Sequence, residues 1–293
     1  MSYKNIYILG VGGSGMSSIA KYLKQKGDNV IGYDQRKSYV TNLLNQDGIK
    51  VVHTLDEITY KPHSLYIYSS AIPIESDRFE DFHDKENVLS RPEYLKNLSE
   101  NHKIIGITGT HGKTSTTALL SHIFHFNNVN VSYLYGGITT FNGIGGHYGD
   151  PDQPLILETD EAFNTFEKIK ISDLLVLNVD SDHLDYFKNL DNYKDAFYKV
   201  MKNVTDNLVI NNDDLNIKSM KELKNPVSYG KDIAADFKVQ SPGTFIYENN
   251  KYEIKSDIIG DHFKSNMLGA VILALLNGIE ILDSLNDIES FAG

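Results

Sequence analysis

Short apolar runs alternate with longer stretches in which apolar positions recur every three or four residues, and the period switches repeatedly along the first part of the chain. Ile6 to Gly10, Val30 to Asp34, Val51 to His53 and Leu65 to Ser69 have the near-continuous apolar character of strands buried on both faces. The helix-like segments between them, and a last one from Pro92 to Leu98, predict an α/β unit with a Rossmann-like, doubly wound parallel sheet. Ser99-Glu-Asn-His-Lys103 is short and polar, and a new buried-strand pattern starts at Lys103. The boundary is expected there, giving domains 1–99 and 100–293.

The second domain repeats the alternation, with strands expected at Lys103 to Thr108, Leu155 to Glu158, Leu174 to Val179 and Leu208 to Asn211. Helices are expected from Lys113 to Phe126 and from Asn192 to Asn203. Asn249-Asn250 separates two alternating runs between Phe245 and Ile254, a hairpin signal that adds a small antiparallel element. Met267 to Leu276 is the longest strongly apolar stretch and falls well short of a membrane span, so it reads as a buried helix.

Two glycine-rich turns carry the candidate chemistry. The first, Gly10-Val-Gly-Gly-Ser-Gly15, has the spacing G-x-G-x-x-G between an expected strand and an expected helix, the context of a diphosphate-binding turn. Gly12, Gly13 and Gly15 would let backbone amides and a helix N-terminus meet the ligand. Asp34, 19 residues after Gly15, stands where such folds place a ribose-binding carboxylate, so by these residues alone a dehydrogenase remains open.

The second turn, Gly106-Ile-Thr-Gly-Thr-His-Gly-Lys-Thr-Ser-Thr116 in the span to Thr117, also joins a strand to a helix. Gly109, Gly112, Lys113 and Thr114 supply close backbone approach, N–H donors, a helix N-terminus and a mobile cation, which together suit a phosphate. The general P-loop spacing fails because Ile107 stands where a glycine is required, so only the G-K-T end survives.

Composition narrows the partners. The absence of cysteine leaves only oxygen and imidazole for metal binding and rules out disulfides or a thiol nucleophile. A formal charge of -11 argues against nucleic acid, whose binding needs a basic face. No secretory signal is visible at the N-terminus, no membrane partner is expected, and the cytoplasm is the simplest location.

Thr108-Gly-Thr-His-Gly-Lys-Thr114 resembles the variant phosphate loop T-G-T-[NH]-G-K-T of the Mur ligases, ATP-dependent enzymes that build the peptide of bacterial cell-wall precursors. Leu157-Glu-Thr-Asp-Glu161 and Asn178-Val-Asp-Ser-Asp-His-Leu-Asp185 are similar to the acidic pair and D-H-L-D segment that follow it in that family. The resemblance extends from about residue 5 to the end. It implies ATP contacts from Gly109, Thr110, His111, Gly112, Lys113, Thr114 and Ser115, with His262 and Asn266 of Gly260-Asp-His-Phe-Lys-Ser-Asn266 near the base and ribose. Phe263 departs from the family's asparagine at that position. It also implies Mg²⁺ held by Thr114 and Glu158, a second ion at His183, and catalytic roles for Lys113, Glu158 and His183.

His111, the stretch Gly10 to Met16, Ser69-Ser-Ala-Ile72 and Leu89-Ser-Arg-Pro-Glu-Tyr-Leu95 most resemble the branch of the family that acts on UDP-N-acetylmuramate. On that resemblance Gly12 to Met16, Asp34, Ser69 and Ser70 border the sugar nucleotide, and L-alanine is the incoming amine. The chain ends where the family passes into a third, amino-acid-binding domain, so that domain is expected to be absent and the chain to turn over little. A ligase of the same family that recycles a whole tripeptide and a non-catalytic UDP-sugar-binding module stay open as alternatives.

Overall fold

The computed structural model describes residues 3–160, 165–180, 187–220, 223 and 225–292. Two compact units are present, Met1–Asn101 with Ser132–Asp150, and His102–Val131 with Pro151–Gly293. The segment 132–150, expected within the second domain, therefore belongs to the first unit.

In the first unit, β1 (Asn5–Leu9), β2 (Val30–Tyr33), β3 (Lys50–Val52), β4 (Ser64–Tyr68) and β5 (Val88–Ser90) form one all-parallel sheet in the order β3-β2-β1-β4-β5. The predicted strands are present within a residue or so at each end. Helix α1 (Ser14–Gln25) is buried at every position from Met16 to Leu23, so its apolar residues Met16, Ile19, Ala20, Tyr22 and Leu23 are covered together with Ser17, Ser18 and Lys21. Helix α2 (Tyr39–Gln46) starts at a capping box between Ser38 and Thr41. Helix α3 (Arg91–Ser99) starts at a second one, where the Ser90 N–H donates to Glu93 Oε2 at 2.7 Å.

The chain moves from β3 to the far side of β1 when it enters β4, so the β1/β4 boundary is the sheet's topological switch point. The glycine turn after β1 and Ser69 after β4 lie side by side there, with the Ser69 N–H donating to the Leu9 carbonyl at 3.0 Å.

A hairpin, β7 (Ser132–Thr139) with β8 (Gly143–His147), packs on α1; the sequence pattern gave no separate signal for it. Lys21, almost fully buried in α1, fixes the tip by donating to the carbonyls of Asn142 (2.6 Å) and Ile144 (3.1 Å). Burial lowers its pKa, and the two carbonyls offset part of the cost of desolvating the ammonium. A lysine reads as solvent-facing by type, which is why this anchor is silent in the sequence.

In the second unit, β6 (Ile104–Thr108), β9 (Leu155–Glu158), β10 (Asp173–Val176), β11 (Leu208–Asn211) and β12 (Val227–Gly230) run parallel, with β6 between β9 and β10. β13 (Phe237–Ser241) continues the sheet in parallel, and β14 (Thr244–Tyr247) with β15 (Asn250–Glu253) closes it as an antiparallel hairpin. Its turn residues are Glu248 and Asn249, both at positive φ, one position earlier than the Asn249-Asn250 expectation. Positive φ at both positions matches the twist that two-residue hairpins favour.

Helices α4 (Lys113–Phe126) and α6 (Asp261–Leu276) pack on this sheet, α7 (Ile281–Ser290) packs on both of them, and α5 (Leu190–Lys202) lies between β10 and β11 in the chain. Every residue from Met267 to Ala274 is buried, as the uniformly apolar run required, and α6 packs against α4 and α7. Among the described residues no helix is long and apolar enough to cross a membrane.

His122 joins α4 to α7. Its Nε2 lies 3.1 Å from both the Asp287 carbonyl and Ser290 Oγ, and its ring packs against Phe126 and Phe291. Burial depresses its pKa below the ordinary 6.5, opposed by the Asp287 hydrogen bond. The native state thus holds a neutral imidazole, while the unfolded chain takes up a proton below about pH 6.5; the resulting stability is present above that pH and lost on acidification. Thermal melts are expected to show the midpoint falling between pH 7.5 and 5.5, on the scale of one histidine titration, with His122→Gln flattening that decline. An identical decline in the variant would remove His122 from the account.

Candidate functional site

The centre of the second unit is the turn between β6 and α4. The chain passes from β6 to β9 on one side and later to β10 on the other, so this turn leaves the sheet at its own switch point. Gly112 is the N-cap of α4 at φ 87°, a left-handed conformation, and a Cβ there would collide with the Asn266 amide. The first turn of α4 has neither a capping side chain nor an acidic residue, so the positive end of the helix is uncompensated by its own sequence.

Asn178, after β10, clamps this loop. Its Oδ1 accepts from the His111 N–H at 2.8 Å, its Nδ2 donates to the His111 carbonyl at 2.9 Å, and its own carbonyl accepts from the Thr110 N–H at 3.0 Å. The Thr110 hydroxyl is buried, accepts from the Asp180 N–H at 2.8 Å and lies 3.1 Å from Tyr193 OH on α5. The Thr110 and His111 amides are in this way taken up in holding the loop's shape, which fixes the start of α4 that follows. Asn178 opens the predicted N-V-D-S-D-H-L-D stretch, yet its role as a clamp depends on β10 lying beside β6 and has no local signature.

Lys113 Nζ donates to the Gly109 carbonyl at 2.7 Å, which curls the side chain back over the loop. Thr114 Oγ1 donates to Glu158 Oε1 at 2.9 Å. Parallel pairing sets Glu158 level with Ile107, so its carboxylate reaches the first turn of α4. A hydroxyl and a carboxylate side by side are hard oxygen donors of the kind Mg²⁺ takes, and the pair fits the expected metal position. His183, expected at a second ion, lies outside the described residues, as does 161–164. Among the described residues no group of three metal-ligating side chains occurs.

A cavity of about 870 Å³ opens beside the loop, within the range of small-molecule sites. His111, Asn178, Asp180, His262 and Asn266 line it, so the structure brings one predicted loop residue, His111, together with His262 and Asn266, whereas Lys113, Thr114 and Glu158 do not line the cavity. Asn211, Asp213, Asp214 and Lys231 also line it and were not singled out by sequence. Asp213 Oδ1 accepts from the Lys231 N–H at 2.7 Å, and Asp214 Oδ2 from the Val179 N–H at 3.1 Å. Ser115 is exposed beside the loop, and Phe263 is 40% exposed.

The first unit has a candidate site of its own at the β1/β4 switch point. Gly13 caps α1, Ser14 is exposed, and Gly15 is partly covered, whereas Met16 points into the core and is buried. Asp34 Oδ2 accepts from the Gly12 N–H at 2.9 Å and Oδ1 from the Arg36 N–H at 2.9 Å. Its carboxylate therefore braces the glycine turn, a role the ribose-binding expectation did not contain. Ser69 is partly covered and its hydroxyl accepts from the Ala71 N–H at 3.3 Å; Ser70 is exposed.

Residues 107–274 match the Mur ligase middle domain, and residues 5–103 match the Mur ligase family, catalytic domain. The chain belongs to the Mur ligase family. Among its relatives, UDP-N-acetylmuramate--L-alanine ligase of Cytophaga hutchinsonii is 30% identical over 99% of this chain and 66% of that protein. The ligase of the same name from Clostridium botulinum (strain Langeland) is 33% identical over the same shares. The chain thus spans 66% of the length of these curated relatives. Two solved structures share the fold. One is a UDP-N-acetylmuramate:L-alanyl-gamma-D-glutamyl-meso-diaminopimelate ligase from Neisseria meningitides, with a TM-score of 0.84, 21% identity and 99% coverage of both chains. The other is a UDP-N-acetylmuramate-alanine ligase from Thermotoga maritima, with a TM-score of 0.82, 24% identity, and coverage of 99% of this chain and 69% of that one.

Because Gly112 combines left-handed backbone with a blocked Cβ direction, Gly112→Ala is expected to cost about 1–3 kcal/mol of unfolding free energy in urea denaturation. Adding Asn266→Ala should recover only the collision and leave the backbone strain. Full recovery in the double variant would show that the strain contributes nothing.

Proposed function

We propose that this chain is the sugar-nucleotide- and ATP-binding part of an ATP-dependent, ADP-forming carboxylate–amine ligase that joins L-alanine to UDP-N-acetylmuramate in peptidoglycan precursor synthesis. The observation that carries the reading is the Thr114–Glu158 pair at 2.9 Å, set at the N-terminus of α4 beside Lys113. The names of the curated relatives support the alanine-adding branch. The tripeptide ligase is the second reading because one of the solved structures sharing the fold is of such an enzyme.

On this reading the lactyl carboxylate of the sugar nucleotide attacks the γ-phosphorus of ATP, ADP leaves, and the amine of L-alanine attacks the acyl phosphate and expels phosphate. The obstacle is electrostatic, because a carboxylate must approach a polyanion in a protein of formal charge -11. The first turn of α4 offers its N–H groups and the positive end of its dipole to the phosphates. Lys113 swings from the Gly109 carbonyl to the terminal phosphates, exchanging one acceptor for a charged one. Thr114 and Glu158 would hold Mg²⁺, which when bound neutralises phosphate charge. A local field suffices, since screening limits exposed charges to about 8 Å at physiological ionic strength. The cavity beside His262 and Asn266 takes the base and ribose. The glycine turn of the first unit takes the diphosphate of the sugar nucleotide.

In the complete ligase, Lys113→Ala is expected to reduce ATP hydrolysis to background while UDP-N-acetylmuramate binding stays near that of the parent by calorimetry. Equal loss of both in a protein with unchanged circular dichroism would count against the assignment. Calorimetry of this chain with NAD in place of the sugar nucleotide tests the dehydrogenase alternative, for which no heat is expected. Assay of the complete ligase with L-alanine against a tripeptide separates the two family branches.

A further inference from the structure

Arg91 is the first residue of α3, and its guanidinium lies directly over Gly15 of α1. A Cβ at Gly15 would stand 2.8 Å from Arg91 Nε and 2.9 Å from both Cζ and Nη2. The third glycine of G-x-G-x-x-G ordinarily serves close helix–strand packing; here it also leaves the space a cation fills. The position of Arg91 is fixed by the Ser90–Glu93 capping box and by Pro92 in the first turn.

The electrostatics of this contact are one-sided. Arg91 Nε is buried without a hydrogen-bond partner, and among the described residues no carboxylate forms an ion pair with the side chain. The first turn of α1 carries no acidic residue, and its N-cap, Gly13, has no side chain to donate or accept. The carboxylate at this turn, Asp34, is already engaged by the Gly12 and Arg36 N–H groups. Among the described residues the guanidinium and the positive end of the helix dipole therefore meet without an ion pair, an arrangement that an anion between them would stabilise. The planar fork of arginine suits two oxygens of a phosphate better than a point charge does.

We propose that Arg91 is a binding residue for the diphosphate of the sugar nucleotide, gripping it against the N-terminus of α1, and that Gly15 is required because any side chain there displaces the guanidinium. This rests on the sugar-nucleotide reading above and adds a residue to which the glycine turn alone does not point.

The test is calorimetric titration of this 293-residue chain with UDP-N-acetylmuramate, UDP and uridine. Arg91→Ala and Arg91→Gln are expected to weaken UDP-N-acetylmuramate and UDP alike, by about 10- to 100-fold, with uridine unaffected. Arg91→Lys should restore part of the loss and make UDP binding more salt-sensitive than in the uncharged variants. Arg91→Gln keeps much of the aliphatic stem over Gly15, so it decides the matter if Arg91→Ala fails to fold. Parental UDP affinity in these variants would overturn the role of Arg91 and leave the reading intact. A loss seen with UDP-N-acetylmuramate but not with UDP would overturn it too, by moving the contact to the sugar's own carboxylate. Failure of the parent chain to bind either nucleotide would remove the sugar-nucleotide reading and this role together.

Discussion

The left-handed turn at Gly112 is the constraint on which the candidate site of the second unit depends. A strand buried on both faces has to deliver its next residues into a helix within five positions. Only glycine tolerates the φ of 87° that this requires with the Asn266 amide packed over the Cα. Once the turn is made, Asn178 fixes it by bonding to both polar groups of the His111 backbone, so the loop's shape is set by the strand beside it. Lys113, Thr114 and the Glu158 carboxylate then fall where they do because α4 starts there and β9 pairs with β6.

The same solution appears in the first unit with different details. A glycine turn again leaves the sheet at the point where strand order reverses, and a helix without acidic residues in its first turn again follows. There Asp34 braces the turn through the Gly12 N–H, and Arg91 closes over Gly15. Two helix N-termini without acidic residues in their first turns, each with a basic side chain beside it, therefore sit in a protein whose overall charge is strongly negative.

Much of this was legible in advance. The strand patterns located β1, β2, β3, β4, β6, β9 and β11 within a residue or so, since a buried parallel strand leaves a continuous apolar run. Helix α4 matched its predicted span because Gly112 marks its start and the apolar stripe its length. The hairpin at 132–150 was not legible: its anchor is a buried lysine, its strands are rich in glycine and tyrosine, and its partner α1 lies more than a hundred residues earlier. The roles of Asn178, Asp213 and Lys231 were equally silent, for each depends on a neighbouring strand or loop remote in sequence.

By itself the sequence determined the α/β class, the place of the two glycine-rich turns, and the residue types that stand at them, because glycine placement, periodicity and the G-K-T end are local properties of the chain. Tertiary structure alone decided which carboxylate faces which hydroxyl, that Asp34 braces a glycine turn and that Arg91 covers Gly15. It also decided that 132–150 folds with the first unit. Those relations are set by strand order and packing between distant segments, and a linear pattern carries no record of which buried surfaces will meet.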